Sequence, residues 1–183
     1  IPGFKIWDGD VTVLGFWDQG HVQVWEHVPS AGPPGCPAVR CSQNYRNLSG
    51  FGVDLPVVGP VFEAYARSKG VAQRLKFHPG NFFKEPLPKV DVIIMGHILH
   101  DWNLDEKLML LRKAYEALSP NGAVIIHEAL IDDARKENAF GLLMSLNMLI
   151  ETREGFDFTG ADCMDWLKEA GFAEMRVEPL VGP

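Results

Sequence analysis

Residues 89–132 read KVDVIIMGHILHDWNLDEKLMLLRKAYEALSPNGAVIIHEALID, and the periodicities in this stretch decide the fold. Val90-Asp91-Val92-Ile93-Ile94-Met95 is a short apolar run of the kind shown by a strand buried on both faces, and Ala123-Val124-Ile125-Ile126 is a second. Between them, Leu108, Leu111, Ala114, Tyr115 and Leu118 recur at helical spacing, which predicts a helix over 104–118 with its charged residues on the other face. Pro120, Asn121 and Gly122 then stop that helix and turn the chain back. A strand, helix, strand unit of this kind is right-handed and places both strands in one parallel sheet, so the expected fold class is α/β.

The crevice of an open α/β sheet lies beyond the carboxyl ends of its strands. His97, His100 and Asp101 follow the first strand of the unit, while His127 and Glu128 close the second. An imidazole and a carboxylate from neighbouring strand ends suit a general base and the acid that orients it. The same positions also suit a packed ring and the start of a solvated loop, and spacing alone leaves both readings open.

Outward from this unit the chain is read in order. Thr12-Val13-Leu14 and Val22-Gln23-Val24-Trp25 read as short strands between glycine turns, with Trp7, Trp17 and Trp25 as core or cover residues. The run from Pro29 to Pro37 holds too many prolines for a helix interior, and Arg40 to Gly50 reads as polar loop. Residues 50–56, GFGVDLP, predict a strand ending at Asp54 and closed by Pro56, with a helix over 61–69 stopped by Gly70. Asp54 then serves either as a ribose ligand at a strand end or as a turn cap.

Arg74 to Gly80 predicts a strand and turn, followed by Asn81 and the pair Phe82-Phe83, whose rings can wall a planar ligand or fill the core. Asn138 to Glu151 is helical, with Met144 and Met148 on its packing face. Thr159 with Asp162 forms a capping pair for a helix ending near Ala170, where Gly171 supplies the stop. Met175-Arg-Val begins a further strand that ends abruptly before Pro183, as an incomplete final hairpin would.

Composition bounds the function. The chain has 183 residues, 46% of them apolar and 22% charged, enough for one domain with a real core. Its net charge of -7 and lack of a basic run argue against a nucleic-acid partner. Cys36, Cys41 and Cys163 show no metal or redox spacing, so reduced thiols in a cytoplasmic protein are expected, with no metal. No stretch is long and apolar enough for a membrane span, and no secretory signal is apparent.

The sequence resembles the small-molecule O-methyltransferases that use S-adenosylmethionine, the group of plant phenolic, acetylserotonin and bacterial antibiotic-tailoring enzymes. The resemblance is carried by GVDLPVVGP at 52–60, LKFHPGNFFKEPLP at 75–88, HILHDW at 97–102, LLRKAYEALSPNGAVIIHEALI at 110–131, SLNMLIE at 145–151 and LKEAGF at 167–172. It implies a Rossmann-like catalytic domain over 50–183, with residues 1–49 as a divergent amino-terminal part. His100, in the HDW motif, would take the proton of the acceptor hydroxyl. Glu128 would orient it, and Asp157 lies near a second family carboxylate, where many members have glutamate.

By the same resemblance, Asp54 with Leu55 would bind the cofactor's ribose, and Asn81 and Phe82 would flank adenine. Trp102, Met144, Asn147 and Met148 would line the pocket of an aromatic, hydroxylated acceptor. A homodimer is compatible with the family. In-line transfer from a sulfonium needs donor and acceptor held nearly collinear, and a neutral imidazole beside the acceptor assists by removing a proton that becomes more acidic during attack.

The departures concern the cofactor. The family's glycine-rich turn falls opposite Ala31-Gly-Pro-Pro-Gly-Cys-Pro37, where Gly32 and Gly35 match two glycines but no acid precedes them and Pro33, Pro34 and Pro37 intervene. Prolines remove backbone donors and obstruct the helix that should begin there. Gly96 stands where many relatives carry a lysine, and the usual helical cover domain is absent from the chain. Two readings follow: an aromatic O-methyltransferase, or a noncatalytic interaction protein built on the same sheet.

Overall fold

The computed structural model describes residues 11–16 and 48–178. Expectations for Val22 to Trp25, the three amino-terminal tryptophans, Gly32 and Gly35 lie outside the described residues. The elements are β1 (Val11–Phe16), β2 (Leu48–Asp54), α1 (Gly59–Ser68), β3 (Leu75–Pro79), β4 (Val90–Gly96), α2 (Leu104–Ala117), β5 (Leu118–His127), α3 (Ala139–Glu151) and α4 (Gly160–Ala170). Two compact units result: one holds the strands and α1, and the other holds most of α2 with α3, α4 and the segments around them.

In the first unit the strands form a single sheet in the order β3-β2-β1-β4-β5. β1 pairs in parallel with β2, Val13 opposite Gly50, and with β4, Val13 opposite Val92; β2 pairs in parallel with β3, Gly52 opposite Phe77. The order reverses between β1 and β4, the switch point at which doubly wound sheets open their crevice. This is a Rossmann-like sheet, as expected.

The core of this unit gathers Leu48, Phe62, Ala66, Val71, Leu75, Val92 and Ile94, with Tyr65, Phe77 and Ile125 packed against it. Gly52 shows how tight that packing is, since a Cβ there would sit 2.1 Å from the Phe62 ring. β2 begins at Leu48, inside the stretch read as loop, because Leu48 is buried and its neighbours pair with β1. α1 starts at Gly59, two residues before the expected helix: a 3-10 turn at Pro56–Val58 leads into it, and Pro60 occupies the first turn, where a missing N–H costs nothing. Gly70, at φ 70°, ends it.

The predicted unit over 89–132 appears as β4, α2 and β5, with two corrections. α2 stops at Ala117, and Leu118 opens β5 instead of closing the helix; Asn121 at φ 65° bends the chain within the segment. Tyr115, expected inward, is 49% exposed, while Leu110, Leu111, Ala114 and Lys107 are fully buried.

In the second unit, α3 is capped by Asn138, whose Oδ1 accepts from the Gly141 N–H at 3.2 Å. α4 has the capping box read from Thr159 and Asp162, and Gly171 at φ 110° closes it. Ile131 bridges to Thr159, its N–H donating to the Phe158 carbonyl at 2.9 Å. The strand expected from Met175 is not formed: residues 172–178 carry no strand and are largely exposed.

Candidate active site

His100 reaches the interior because the chain after β4 closes into a 3-10 turn, Leu99–Asp101, with Leu99 and His100 buried. Glu128, just beyond β5, holds that turn in place. Its Oε1 accepts the N–H groups of Ile98 and Leu99, both at 3.0 Å, so one buried carboxylate replaces the acceptors the turn lacks. His97, at φ 54°, donates its backbone N–H to the His127 carbonyl at 3.0 Å, closing the same junction.

Asp157 comes from the loop between α3 and α4. Its Oδ1 lies 3.3 Å from Nδ1 of His100, and its own N–H donates to Oγ of Ser145 on α3 at 3.2 Å. Gly155 makes this approach feasible, because a Cβ there would lie 2.5 Å from the His100 carbonyl oxygen. Oε2 of Glu128 stands 3.8 Å from the same Nδ1, while Nε2 of His100 lies 3.5 Å from Oδ1 of Asp101. With two carboxylates on Nδ1, the tautomer that donates from Nδ1 and keeps its lone pair on Nε2 is favoured.

Burial by itself lowers the affinity of His100 for a proton. The hydrogen bond to Asp157 and the charges of Glu128, Asp101 and Asp157 outweigh it and raise the imidazole from 6.5 to about 9. Burial raises the Glu128 carboxyl to about 7, against the opposing pull of His100 and of the two backbone donors. The result is a buried imidazole set between acids that hold the ring in one orientation.

The other acceptor-pocket expectations fall in the same unit. Met144 and Met148 are buried on α3, Asn147 and Trp102 are half-buried, and α3 packs against the turn that carries His100. His97, His100 and Glu128 bring ring nitrogens and a carboxylate oxygen within 4.8 Å of one another, close enough to interest a metal ion. Nδ1 of His100 is already bonded to Asp157 and Oε1 of Glu128 to the turn, while Oε2 of Glu128 makes no hydrogen bond among the described residues.

The residues expected around the cofactor stand in the first unit. Asp54 ends β2 fully buried, its Oδ1 accepting from the Leu55 N–H and its carbonyl from the Gly80 N–H at 2.9 Å. Oδ1 of Asn81 accepts from the Phe83 N–H at 2.9 Å, shaping a turn beside a small recess lined by Val53, His78, Gly80 and Leu87. Phe82 is 2% exposed, its ring 4.8 Å from that of Phe83. A buried carboxylate at a strand end has the acceptor chemistry that ribose hydroxyls require, so the described residues fit the cofactor by type.

Residues 28–173 match the family model of the O-methyltransferase domain. The chain belongs to this family. It is 38% identical over 85% of its length to the tetracenomycin polyketide synthesis 8-O-methyl transferase of Streptomyces glaucescens, covering 46% of that protein. It is 34% identical over 83% of its length to the 3-hydroxy-5-methyl-1-naphthoate 3-O-methyltransferase of Streptomyces sahachiroi, covering 44% of that one. Among solved structures, human N-acetylserotonin methyltransferase in complex with S-adenosylmethionine superposes with a TM-score of 0.70 at 31% identity, over 78% of this chain and 40% of that one. The chain thus spans about half the length of the curated relatives it matches.

Three residues of the site were not singled out in the sequence. Ser145 and Gly155 act through a hydroxyl and a missing side chain, which carry no pattern of their own. Lys107 had a signal: it lies four residues before Leu111 and seven before Ala114, on the buried face of α2.

Proposed function

We propose that the chain is the catalytic part of an S-adenosylmethionine-dependent O-methyltransferase that acts on a hydroxyl of an aromatic small molecule, with His100 as general base. The observation that carries this reading is the buried imidazole of the HDW motif, with Nδ1 3.3 Å from Asp157 and a second carboxylate behind it. Residues 50–183 hold the catalytic groups, and 1–49 carry Gly32 and Gly35 of the altered glycine motif.

Bound S-adenosylmethionine would supply a methyl group on a positively charged sulfur, and Asp54, with Asn81 next to the Gly80 that donates to its carbonyl, would hold its nucleoside. Nε2 of His100, in the neutral imidazole, takes the proton of the acceptor hydroxyl; the methyl would pass from sulfur to that oxygen, its C–S bond breaking and the sulfur leaving as a neutral thioether. Asp157 and Glu128 hold the ring through Nδ1 and stabilise the imidazolium that forms. Met144, Asn147, Met148 and Trp102 bound the acceptor. The named substrates of the relatives favour fused aromatic acceptors, and a homodimer belongs to the same proposal.

Calorimetric titration with S-adenosylmethionine, followed by a methyl-transfer assay on a hydroxynaphthoate, tests the reading. Binding with transfer is expected; no binding at millimolar cofactor would overturn it. The second reading, a binding protein on the same domain, is favoured by the exposed apolar row Leu143, Leu146, Leu149 and Ile150 on α3, each more than half exposed. Binding without transfer to any phenolic acceptor would support it.

A further inference from the structure

Lys107 is a buried cation that the proposed mechanism does not use. It is 0% exposed, in the first turn of α2, in a position where a charge survives only if its partners replace water. Those partners are two backbone carbonyls. Nζ donates to the carbonyl of Trp102, and to that of Phe156 at 3.0 Å. It also sits 3.4 Å from the centre of the Phe156 ring, with the rings of Phe158 and Trp166 at 5.7 and 5.9 Å.

The identity of those carbonyls gives the cation its meaning. Trp102 follows the turn that carries His100 and Asp101, and Phe156 immediately precedes Asp157. We propose that Lys107 is a positioning residue of the methyl-transfer site, tying these two segments together so that Asp157 meets Nδ1 of His100. This rests on His100 being the base.

The electrostatics agree with the geometry. Burial lowers the ammonium to about 8, opposed by the charges of Glu128, Asp157, Asp101 and Glu106, so it remains a cation at neutral pH. It is the counter-charge facing the carboxylates that surround His100. A neutral residue of equal length would remove the donor that the two carbonyls share and leave the loop of Asp157 without its tether.

The test is a cycle of Lys107→Met, Asp157→Ala and the double variant. Lys107→Met should lower kcat by roughly 10²-fold, the scale of a small misplacement of reacting groups, with both KM values within about twofold. In the Asp157→Ala background the same change should cost no more than about threefold, because the contact it serves is already gone. The downfield N–H proton resonance of His100, assigned by its loss in His100→Ala, should disappear in Lys107→Met.

Multiplying losses, a loss confined to KM, or an unchanged His100 resonance would each overturn the assignment. If Lys107→Met does not fold, Phe156→Leu carries the test, since it keeps the carbonyl and removes the ring beneath Nζ. A folded Phe156→Leu with unaltered kcat and an unaltered His100 resonance would overturn the proposal. His100→Ala in the same assay separates this from the parent reading: an active His100→Ala ends the general-base reading, whereas an inactive one with multiplying losses ends only the role of Lys107.

Discussion

Nδ1 of His100 lies 3.3 Å from Oδ1 of Asp157, a residue 57 positions further along the chain, and both side chains are buried. The contact leaves Nε2 as the ring atom able to accept a proton. Replacing His100 by alanine should therefore reduce kcat by about 10²- to 10⁴-fold, the range of a lost general base. Cofactor affinity, measured by calorimetry, should stay within about threefold, since the expected nucleoside ligands lie elsewhere in the chain.

The pH dependence follows from the same contact. With His100 raised to about 9, the imidazole of the free protein is largely protonated at pH 7 and only the small neutral fraction can act as base. The value of kcat/KM should thus climb roughly tenfold per pH unit up to about pH 9 and then level. Asp157→Ala removes the hydrogen-bond acceptor and its charge, so the rise should move toward the ordinary imidazole range near 6.5 with a lower plateau. A profile unchanged by that substitution would break the link.

Stability should carry a matching signature. A folded value above the unfolded 6.5 means that charged His100 stabilises the fold below pH 6.5, and that this contribution fades as pH rises through 9. Urea unfolding of wild type and His100→Ala should show a difference that shrinks between those limits by roughly 3 kcal/mol at most.

Much of this architecture was legible because it rests on repeated patterns. The apolar runs at 90–95 and 123–126 announce strands, the first buried and the second only half-buried, and Thr159 with Asp162 announces a capping box, since each is local and needs no distant partner. Leu48 was hidden by its polar neighbours, and its strand exists because β1 pairs with it across a long gap in sequence. Lys107 was misread by its charge, although its spacing to Leu111 and Ala114 placed it inward. The role of Glu128 was legible only in outline: that it would serve His100 followed from the motif, whereas its bonds to the N–H groups of Ile98 and Leu99 depend on how the turn folds back.

Those two bonds make Glu128 a structural as well as a chemical residue. Glu128→Ala leaves two buried donors without their acceptor and should cost roughly 1 to 3 kcal/mol for each. Glu128→Gln keeps an amide oxygen that can accept both, so its denaturation midpoint should lie much closer to wild type. A similar midpoint for the two variants would show that the turn does not depend on this carboxylate.

Gly155 offers the most stringent check, because it tests the site without touching a reacting group. A Cβ there would meet Oγ1 of Thr152 at 2.4 Å, the His100 carbonyl oxygen at 2.5 Å and the Asp101 carbonyl carbon at 2.8 Å. The threonine hydroxyl can rotate away, but the two backbone atoms belong to the turn held by Glu128 and cannot. Gly155→Ala must therefore push the loop outward and draw Asp157 away from His100. Overpacking of this kind should cost about 1 to 3 kcal/mol in stability. The larger effect should fall on kcat, by roughly 10²-fold, with cofactor affinity retained. A variant that loses stability but keeps wild-type kcat and its pH profile would show that the 155–157 loop does not set the state of His100.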